Sequence, residues 1–298
     1  MRTFIAVTAW LTTTVAASAA DQPIDVFLVA GQSNAVGADA PPSQMPNDAI
    51  DDSILFRWRC GDPPPDEHDS ISNGWQKLRA QPLGDPITPR RDRQYGNFAQ
   101  PDGGFGPEIG FARAIALQQS TPIAVVKVAF SGTHIAGDWN PNAKATDAAT
   151  EHDSRGACYR ELVQQSRRAI ADLKDQHYDP TLVAMVWVQG ESDATAQRVD
   201  DYQHNLGRMI QTLRSDLKAP ELIALLGVNT RFGGGKNQYM PAIIAAQQAY
   251  GQSDPLACYV DTAGATIANH AHYDAAGTID VGQRFAKALK AMRSVAAE

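Results

Sequence analysis

VFLVAGQSNAVG, residues 26–37, joins an apolar run to a small polar cluster that has Ser33 at its tip. A short apolar run that ends in glycine is typical of a buried strand followed by a turn. The letters Gly-Gln-Ser recur at 251–253, but there they follow a helical pattern and precede Asp-Pro, which indicates a turn. The setting therefore makes Ser33 a candidate nucleophile at the end of a strand.

Similar apolar runs recur along the chain and alternate with amphipathic helical patterns. Runs of four to eight apolar residues between turn signals are typical of buried parallel strands. We therefore predict a three-layer α/β/α fold with a mostly parallel sheet. The predicted strands are 24–30, 123–130, 181–188, 222–228 and 256–260. Residues 38–102 and 138–156 do not fit the alternation and are predicted to be long loops.

The first twenty residues, MRTFIAVTAWLTTTVAASAA, have the three parts of a secretory signal peptide. Arg2 supplies the positive charge, residues 4–15 are mostly apolar, and Ala17-Ser18-Ala19 is a small-residue cleavage site. We predict a signal peptide over 1–20, a single domain over 21–298, and a secreted or periplasmic protein. No later apolar run is long enough to span a membrane.

Composition limits the partners of this domain. The chain has 298 residues, 43% of them hydrophobic, which is enough for a large core. Its net charge is −7 and its pI about 5.5, so nucleic acid and anionic membranes are not expected as partners. A neutral polysaccharide remains compatible with this charge. Nothing in the sequence indicates an obligate protein partner or an oligomeric state.

Three cysteines, Cys60, Cys158 and Cys258, are spaced unlike any zinc-binding pattern. In an oxidising compartment one pair could form a disulfide and leave the third thiol free. The spacing does not decide between a bridged pair and three buried free thiols.

Polar residues follow several predicted strands at the edge where parallel α/β sheets bind ligands. Gly31-Gln32-Ser33-Asn34 follows the first strand, and Ser131-Gly132-Thr133-His134 follows the second. Gln189-Gly190-Glu191-Ser192-Asp193 follows the third, and NHAHYDAAG, 269–277, precedes the last helix. A serine, a histidine, carboxylates and hydrogen-bond donors at one edge are the groups that a serine esterase needs.

Each residue type has a chemical role in such a reaction. A neutral histidine can take the proton of a serine hydroxyl near pH 7. The attacked carbonyl then becomes an oxyanion, which fixed N–H donors stabilise. The backbone N–H groups of Ser33 and Gly106 and the carboxamide of Gln189 are the predicted donors. Possible substrate contacts are Gln32, Asn34, Thr133 and Trp139, although Trp139 is equally compatible with plain packing.

Four blocks of the chain together resemble the SGNH hydrolases, in the carbohydrate acetylesterase branch that includes acetylxylan esterases and sialic-acid-specific acetylesterases. The blocks are VAGQSNAVG, GGFGPEIGFA, VWVQGESDA and HYDAAGTIDVGQRFA, in the order of the family. The resemblance implies a flavodoxin-like sheet, no metal or other cofactor, and removal of acetyl groups from sugar hydroxyls. It implies that Ser33 is the nucleophile, His272 the base, and Gly106 and Gln189 oxyanion donors.

The sequence departs from the family at the residue expected to orient His272. The wider family commonly has Asp three residues before the base, whereas this chain has Asn269. The branch resemblance favours Glu191 of the QGESD block. Asp193, Asp261 and Asn269 remain alternatives, with Asn269 expected as an accessory.

We therefore predict a metal-independent serine esterase that removes O-acetyl groups from carbohydrates. Acetylated xylan is the first expected substrate and O-acetylated sialic acid the second. The alternatives are a short-chain lipase or thioesterase on the same fold and a non-catalytic sugar-binding homologue. The segment HAHYD, 270–274, has a spacing that resembles metal ligands, but Ala275 stands where a further histidine would be needed.

Overall fold

The computed structural model describes residues 21–84, 98–144 and 155–296. The predicted signal peptide lies outside these residues. Eight strands are described: β1 Gln22–Gly31, β2 Ile54–Gly61, β3 Ser70–Ile71, β4 Gln76–Lys77, β5 Ile123–Phe130, β6 Tyr178–Val188, β7 Ile223–Gly227 and β8 Ala257–Tyr259. The α-helices are α1 Ser33–Val36, α2 Glu108–Ala116, α3 Ala157–Asp175, α4 Tyr202–Asp216, α5 Met240–Ser253 and α6 Ala275–Ala296.

The strands form one sheet in the order β3-β2-β5-β1-β6-β7-β8, with β4 also paired to β2. All neighbours from β2 to β8 along this order are parallel, and only β3 and β4 run antiparallel to β2. The predicted α/β fold with a mostly parallel sheet is confirmed. β2 and β5 lie on one side of β1, and β6, β7 and β8 lie on the other. The end of β1 is therefore the topological switch point of the sheet.

Two apolar cores cover the two faces of this sheet. On one face, alternate residues of β1 such as Val26 and Leu28 pack with α3, α4 and α5. On the other face, Phe27 and Val29 pack with α1, α2 and α6. Because successive strand side chains point to opposite faces, the continuous apolar run of β1 is needed to serve both cores.

β2 was not among the predicted strands, since it lies inside the stretch 38–102 that was predicted to be a loop. Its sequence, ILFRWRCG, alternates buried and half-buried residues. Arg57 and Arg59 take the half-buried positions and form ion pairs with Asp172 and Glu161 on α3. These partners are more than a hundred residues away in the chain, so the local pattern conceals the strand.

No disulfide joins Cys60, Cys158 and Cys258 in the described part of the chain. Cys60 is buried in β2 and Cys158 in α3, while Cys258 is partly buried in β8. Burial raises the pKa of the Cys60 thiol to about 12 and that of Cys258 to about 11. A raised pKa keeps these two thiols protonated and weakly nucleophilic at neutral pH.

Candidate active site

Ser33 lies two residues past the last paired residue of β1, at the switch point. Gly31 pairs with Ala129 of β5 and with Val188 of β6, so the loops after these strands flank Ser33. Gly31 has a φ of 139°, and a Cβ there would lie 2.1 Å from the carbonyl oxygen of Val188. Only glycine fits this turn, which releases the chain from the sheet and starts α1 at Ser33.

A second glycine turns the chain back directly after α1. Gly37 ends this four-residue helix with a φ of 83°, and a Cβ there would lie 1.8 Å from the carbonyl oxygen of Phe105. The left-handed turn reverses the chain within two residues. Asp39 is thereby returned towards the edge of the sheet that carries Ser33.

Asp39 is the carboxylate that contacts the His272 ring. Nδ1 of His272 lies 2.5 Å from Oδ2 of Asp39, and the Asn269 side chain donates to the same oxygen at 2.9 Å. The hydrogen bond from His272 lowers the pKa of Asp39, so this carboxyl is ionised at neutral pH. An ionised carboxylate can only accept, so Nδ1 of His272 carries the proton and Nε2 is left as the basic nitrogen.

Asn269 fixes the backbone of the same loop. Its Oδ1 accepts the backbone N–H groups of Ala271 and His272, at 2.9 and 3.0 Å. Asn269 therefore orients both the base and the carboxylate. Asn269 was expected as an accessory to the base; its contacts are with the Asp39 carboxylate and the loop backbone, not with the imidazole ring.

The predicted hydrogen bond between Glu191 and His272 is wrong, because Asp39 occupies that position. Glu191 is 1% exposed, and its Oε1 accepts from the Asn34 side chain at 2.8 Å and from Asn229 N at 3.1 Å. Burial raises the pKa of Glu191. Its other oxygen has no hydrogen-bond partner in the described part of the chain.

Glu191 instead holds two asparagines that tie the histidine loop to α1. Nδ2 of Asn34 and Nδ2 of Asn229 each donate to the carbonyl oxygen of Ala271 at 3.0 Å. Oδ1 of Asn34 accepts from Tyr273 N at 3.0 Å. Ala271 and Tyr273, which flank His272 in the chain, are thus both hydrogen-bonded to the side chain of Asn34, the residue after Ser33. This network of Glu191, Asn34 and Asn229 holds the loop that carries His272 against α1, the helix that begins with Ser33.

The other carboxylate alternatives have different partners. Oδ1 and Oδ2 of Asp193 accept from Ile135 N, and Oδ2 also accepts from the Gln189 side chain at 2.5 Å. Burial raises the pKa of Asp193 to about 6. Asp261 is exposed and accepts from Ala263 N. Neither carboxylate has a hydrogen bond to His272 within the described ranges.

Two of the predicted oxyanion donors are wrong, because their N–H groups have other acceptors. Gly106 N donates to Oε1 of Glu108 at 2.8 Å inside the core. Nε2 of Gln189 donates to the carbonyl oxygen of Thr133 at 3.1 Å and to Asp193, and Gln189 is 0% exposed. The amide protons of Gln189 are therefore used inside the protein.

Two of the predicted substrate contacts are also wrong. Trp139 is 0% exposed, packs edge-on against Trp187, and donates from its indole N–H to Oγ1 of Thr133. Thr133 is 0% exposed as well and donates to the carbonyl oxygen of Phe130. Both residues support the loop after β5 from inside.

Three groups at the switch point keep hydrogen-bond donors without an acceptor among the described residues. They are the backbone N–H of Ser33, the backbone N–H of Gly132 and the side-chain amide of Gln32. Oε1 of Gln32 accepts from Ser192 N at 3.3 Å, so the carboxamide is held and only its NH₂ end is unused. Gly132 has a φ of 70°, and no heavy atom lies within 4 Å of the position that a Cβ would take there.

Sequence reasoning missed Asp39 and Gly132. Gly132 follows β5, and β5 is the direct neighbour of β1, whereas Gly106 precedes α2 and follows no strand of the sheet. Sheet order would therefore have favoured Gly132. For Asp39 we find no local signal, since its position depends on the turn at Gly37.

No three His, Cys, Asp or Glu side chains are grouped to hold a metal ion in the part of the chain that the structure describes. The prediction that no metal takes part stays a prediction. No described helix is long and apolar enough to cross a membrane.

A serine, an imidazole and a carboxylate at the switch point of a parallel sheet are the groups of a serine hydrolase. The chain belongs to the carbohydrate esterase, sialic acid-specific acetylesterase family, whose sequence profile matches residues 23–291. This match confirms the resemblance to the carbohydrate acetylesterase branch.

Sequence identity to individual relatives is low. "Probable carbohydrate esterase At4g34215" of Arabidopsis thaliana is 26% identical over 274 residues, which is 89% of this chain and 90% of that protein. The crystal structure of NanS has a TM-score of 0.63 at 18% identity, over 93% of this chain and all of that one. XAC1771, a carbohydrate acetylesterase from Xanthomonas citri, has a TM-score of 0.56 at 19% identity. The overlap covers 91% of this chain and 56% of XAC1771. At these identities the two structures show that the fold is shared.

Proposed function

We propose that this protein is a serine esterase that removes O-acetyl groups from carbohydrates by way of an acetyl-enzyme on Ser33. The observation that carries the proposal is the contact between Asp39 and Nδ1 of His272, beside the asparagine network that ties His272 to α1. It leaves Nε2 of His272 as a base at the edge where Ser33 lies. Family membership supports the reaction class.

In the first half of the reaction, Nε2 of His272 takes the proton of the Ser33 hydroxyl, and Oγ attacks the acetyl carbonyl carbon. The carbonyl oxygen becomes an oxyanion. We propose that it is bound by the unused donors of Ser33, Gly132 and Gln32. Asp39 stabilises the imidazolium. His272 then gives its proton to the sugar oxygen as the C–O bond breaks, which releases the free hydroxyl and leaves acetyl on Ser33.

The second half repeats these steps with water. His272 takes a proton from a water molecule, and the hydroxide formed attacks the acetyl-enzyme carbonyl. The tetrahedral intermediate uses the same donors. His272 returns the proton to Oγ of Ser33 as acetic acid leaves, which then ionises to acetate in solvent, so the enzyme is regenerated without any other reactant.

The substrate we propose first is acetylated xylan, a neutral glycan. The net charge of −7 repels anionic sugars at a distance, which favours a neutral polymer over an acidic one. O-acetylated sialic acid is the second candidate, because the family description names sialic-acid-specific acetylesterases.

The test is acetate release from a panel of acetylated glycans, together with p-nitrophenyl esters of increasing chain length. We expect acetyl esters to be strongly preferred over octanoyl esters, and comparable kcat/KM values would assign the protein to the lipases. Ser33→Ala should lose nearly all turnover and still fold. The matched variant Ser253→Ala, whose hydroxyl donates to the carbonyl oxygen of Tyr250, should keep it. Full activity in Ser33→Ala would refute the proposal.

We also propose that the protein is exported, on the basis of the sequence of residues 1–20. Mass spectrometry of the protein from culture medium and periplasm should find a mature chain that begins near residue 20 or 21. An unprocessed chain retained in the cytoplasm would contradict export.

A further inference from the structure

A buried charged cluster lies directly behind the nucleophile helix and takes no part in the proposed reaction. It consists of Lys127 in the middle of β5, Glu108 at the start of α2, and Gln81. All three side chains are 0% exposed. Nζ of Lys127 lies 2.9 Å from Oε1 of Glu108 and 2.7 Å from Oε1 of Gln81. A buried ion pair of this kind gives little net stability compared with apolar residues.

The third hydrogen bond of Lys127 goes to the nucleophile helix. Nζ donates to the carbonyl oxygen of Val36 at 2.8 Å, at the last residue of α1. The ammonium group has three protons and here has three acceptors, so its hydrogen-bonding capacity is filled. A cation at the carboxyl end of a helix also interacts favourably with the helix dipole.

Val36 is the midpoint of the catalytic segment 33–39, three residues from Ser33 and three from Asp39. A four-residue helix is not stable by itself, so its position depends on contacts with the rest of the protein. A fixed carbonyl at Val36 therefore constrains both ends of the segment.

The chain packed against the segment is also shaped for this contact. A Cβ on Gly106 would lie 2.3 Å from the carbonyl oxygen of Ala35 and 2.7 Å from Nζ of Lys127. Gly106 N donates to the same Glu108 oxygen that Lys127 contacts. The GGFGPE stretch, which the sequence suggested as an oxyanion element, thus builds the cluster and lets it approach α1.

We propose that Lys127, held by Glu108 and Gln81, is a positioning residue that sets the placement of Ser33 and Asp39 through the carbonyl of Val36. This inference rests on the proposed esterase function. In this role the cluster contributes to kcat rather than to the free energy of unfolding. Small displacements of reacting groups can cost about a hundredfold in rate, so a loosened segment should show in kcat.

The test removes Lys127 and its hydrogen bond to Val36 in two ways. Lys127→Met/Glu108→Gln and Lys127→Met/Glu108→Met remove both charges, so no single charge is left buried. The matched control, Arg113→Met/Asp51→Asn, removes a partly buried ion pair on the same helix α2 that does not contact α1.

We expect each folded double variant at Lys127 to lose about 10- to 100-fold in kcat on p-nitrophenyl acetate with little change in KM. The rate at which an organophosphate labels Ser33 should fall in parallel. The Arg113/Asp51 control should keep kcat within about threefold of the wild-type value, well short of that loss.

Wild-type kcat in a folded double variant would overturn the inference. Failure of both double variants to fold would overturn it as well, because the cluster would then serve folding. A wild-type protein without esterase activity would instead refute the proposed function, so the two failures are distinguishable.

Discussion

Asp39 and His272 form the contact on which the proposed chemistry depends, although 233 positions separate them in the chain. The carboxylate comes from six residues after the nucleophile, whereas the resemblance pointed to a residue near the base or in the QGESD block. An orienting carboxylate is defined by its contact with the imidazole and not by its place in the sequence. Asn269, which stands at the more common acid position, donates to Asp39 and supports it.

Asp39→Asn should therefore lower kcat by about 10²–10⁴-fold with little change in KM, because an amide cannot stabilise the imidazolium. The matched variant is Glu191→Gln, which keeps an acceptor for Asn34 and Asn229 and should cost much less. An equal loss in Glu191→Gln would show that the charge of Glu191 matters after all.

The side chain of Gln32 gives a second prediction at this scale. Gln32→Glu keeps the oxygen that accepts from Ser192 N but removes the amide donor, and should lower kcat by about 10²–10³-fold. Gln32→Met removes the donor without adding a charge and should lower kcat similarly. Steady-state kinetics on p-nitrophenyl acetate measures both. Wild-type kcat in Gln32→Met would remove Gln32 from the oxyanion site.

Among the secondary-structure elements, the asparagine network explains how three separate loops act together. It joins the start of α1, the turn after β6 and the segment after β7 to the loop that carries His272. Each hydrogen bond in such a network contributes about 1 kcal/mol, and the low dielectric of a buried site strengthens them together. The loop is thereby held although Asn269 and His270 on it are exposed.

Asn229→Ala removes one of the two side chains that bind the carbonyl of Ala271. It should lower the unfolding free energy by about 1–2 kcal/mol and speed amide hydrogen exchange over residues 268–274. Asn237→Ala is the matched control, because its side chain binds the carbonyl of Ala194 instead. Equal exchange over 268–274 in both variants would contradict the role given to Asn229.

The sequence was sufficient to predict the elements that have a local pattern. It was not sufficient for elements and site residues that depend on contacts with distant parts of the chain. β1, β5 and β6 appear as apolar runs, and Ser33 and His272 follow from short motifs. β2 was missed because Arg57 and Arg59 interrupt its apolar pattern and are neutralised only by α3. Gly106 was misassigned as an oxyanion donor because the place of a block along the chain does not show which strand it follows in the sheet. Gly106 follows no strand directly, whereas Gly132 follows β5, the neighbour of β1.

At the scale of the whole molecule, two buried carboxyl groups contribute to the way stability responds to pH. Burial raises the pKa of Asp193 to about 6 and that of Asp69 to about 7, from an ordinary value of 3.8. The folded protein therefore binds protons at these groups more tightly than the unfolded chain does. Between about pH 4 and pH 7 the unfolded state carries fewer protons at these two groups, so their contribution to the unfolding free energy decreases as pH rises through this window.

Asp193→Asn should flatten this decrease between about pH 4 and pH 6, because the amide does not titrate. A pKa difference of about two units corresponds to roughly 3 kcal/mol at neutral pH, which sets the order of magnitude of the change. Guanidinium unfolding at intervals across the window measures it. Asp102→Asn removes an exposed carboxylate and should leave the pH dependence unchanged. If Asp193→Asn keeps the wild-type slope, then another buried group such as Asp69 dominates, and the ionisation of Asp193 has little cost in the folded protein.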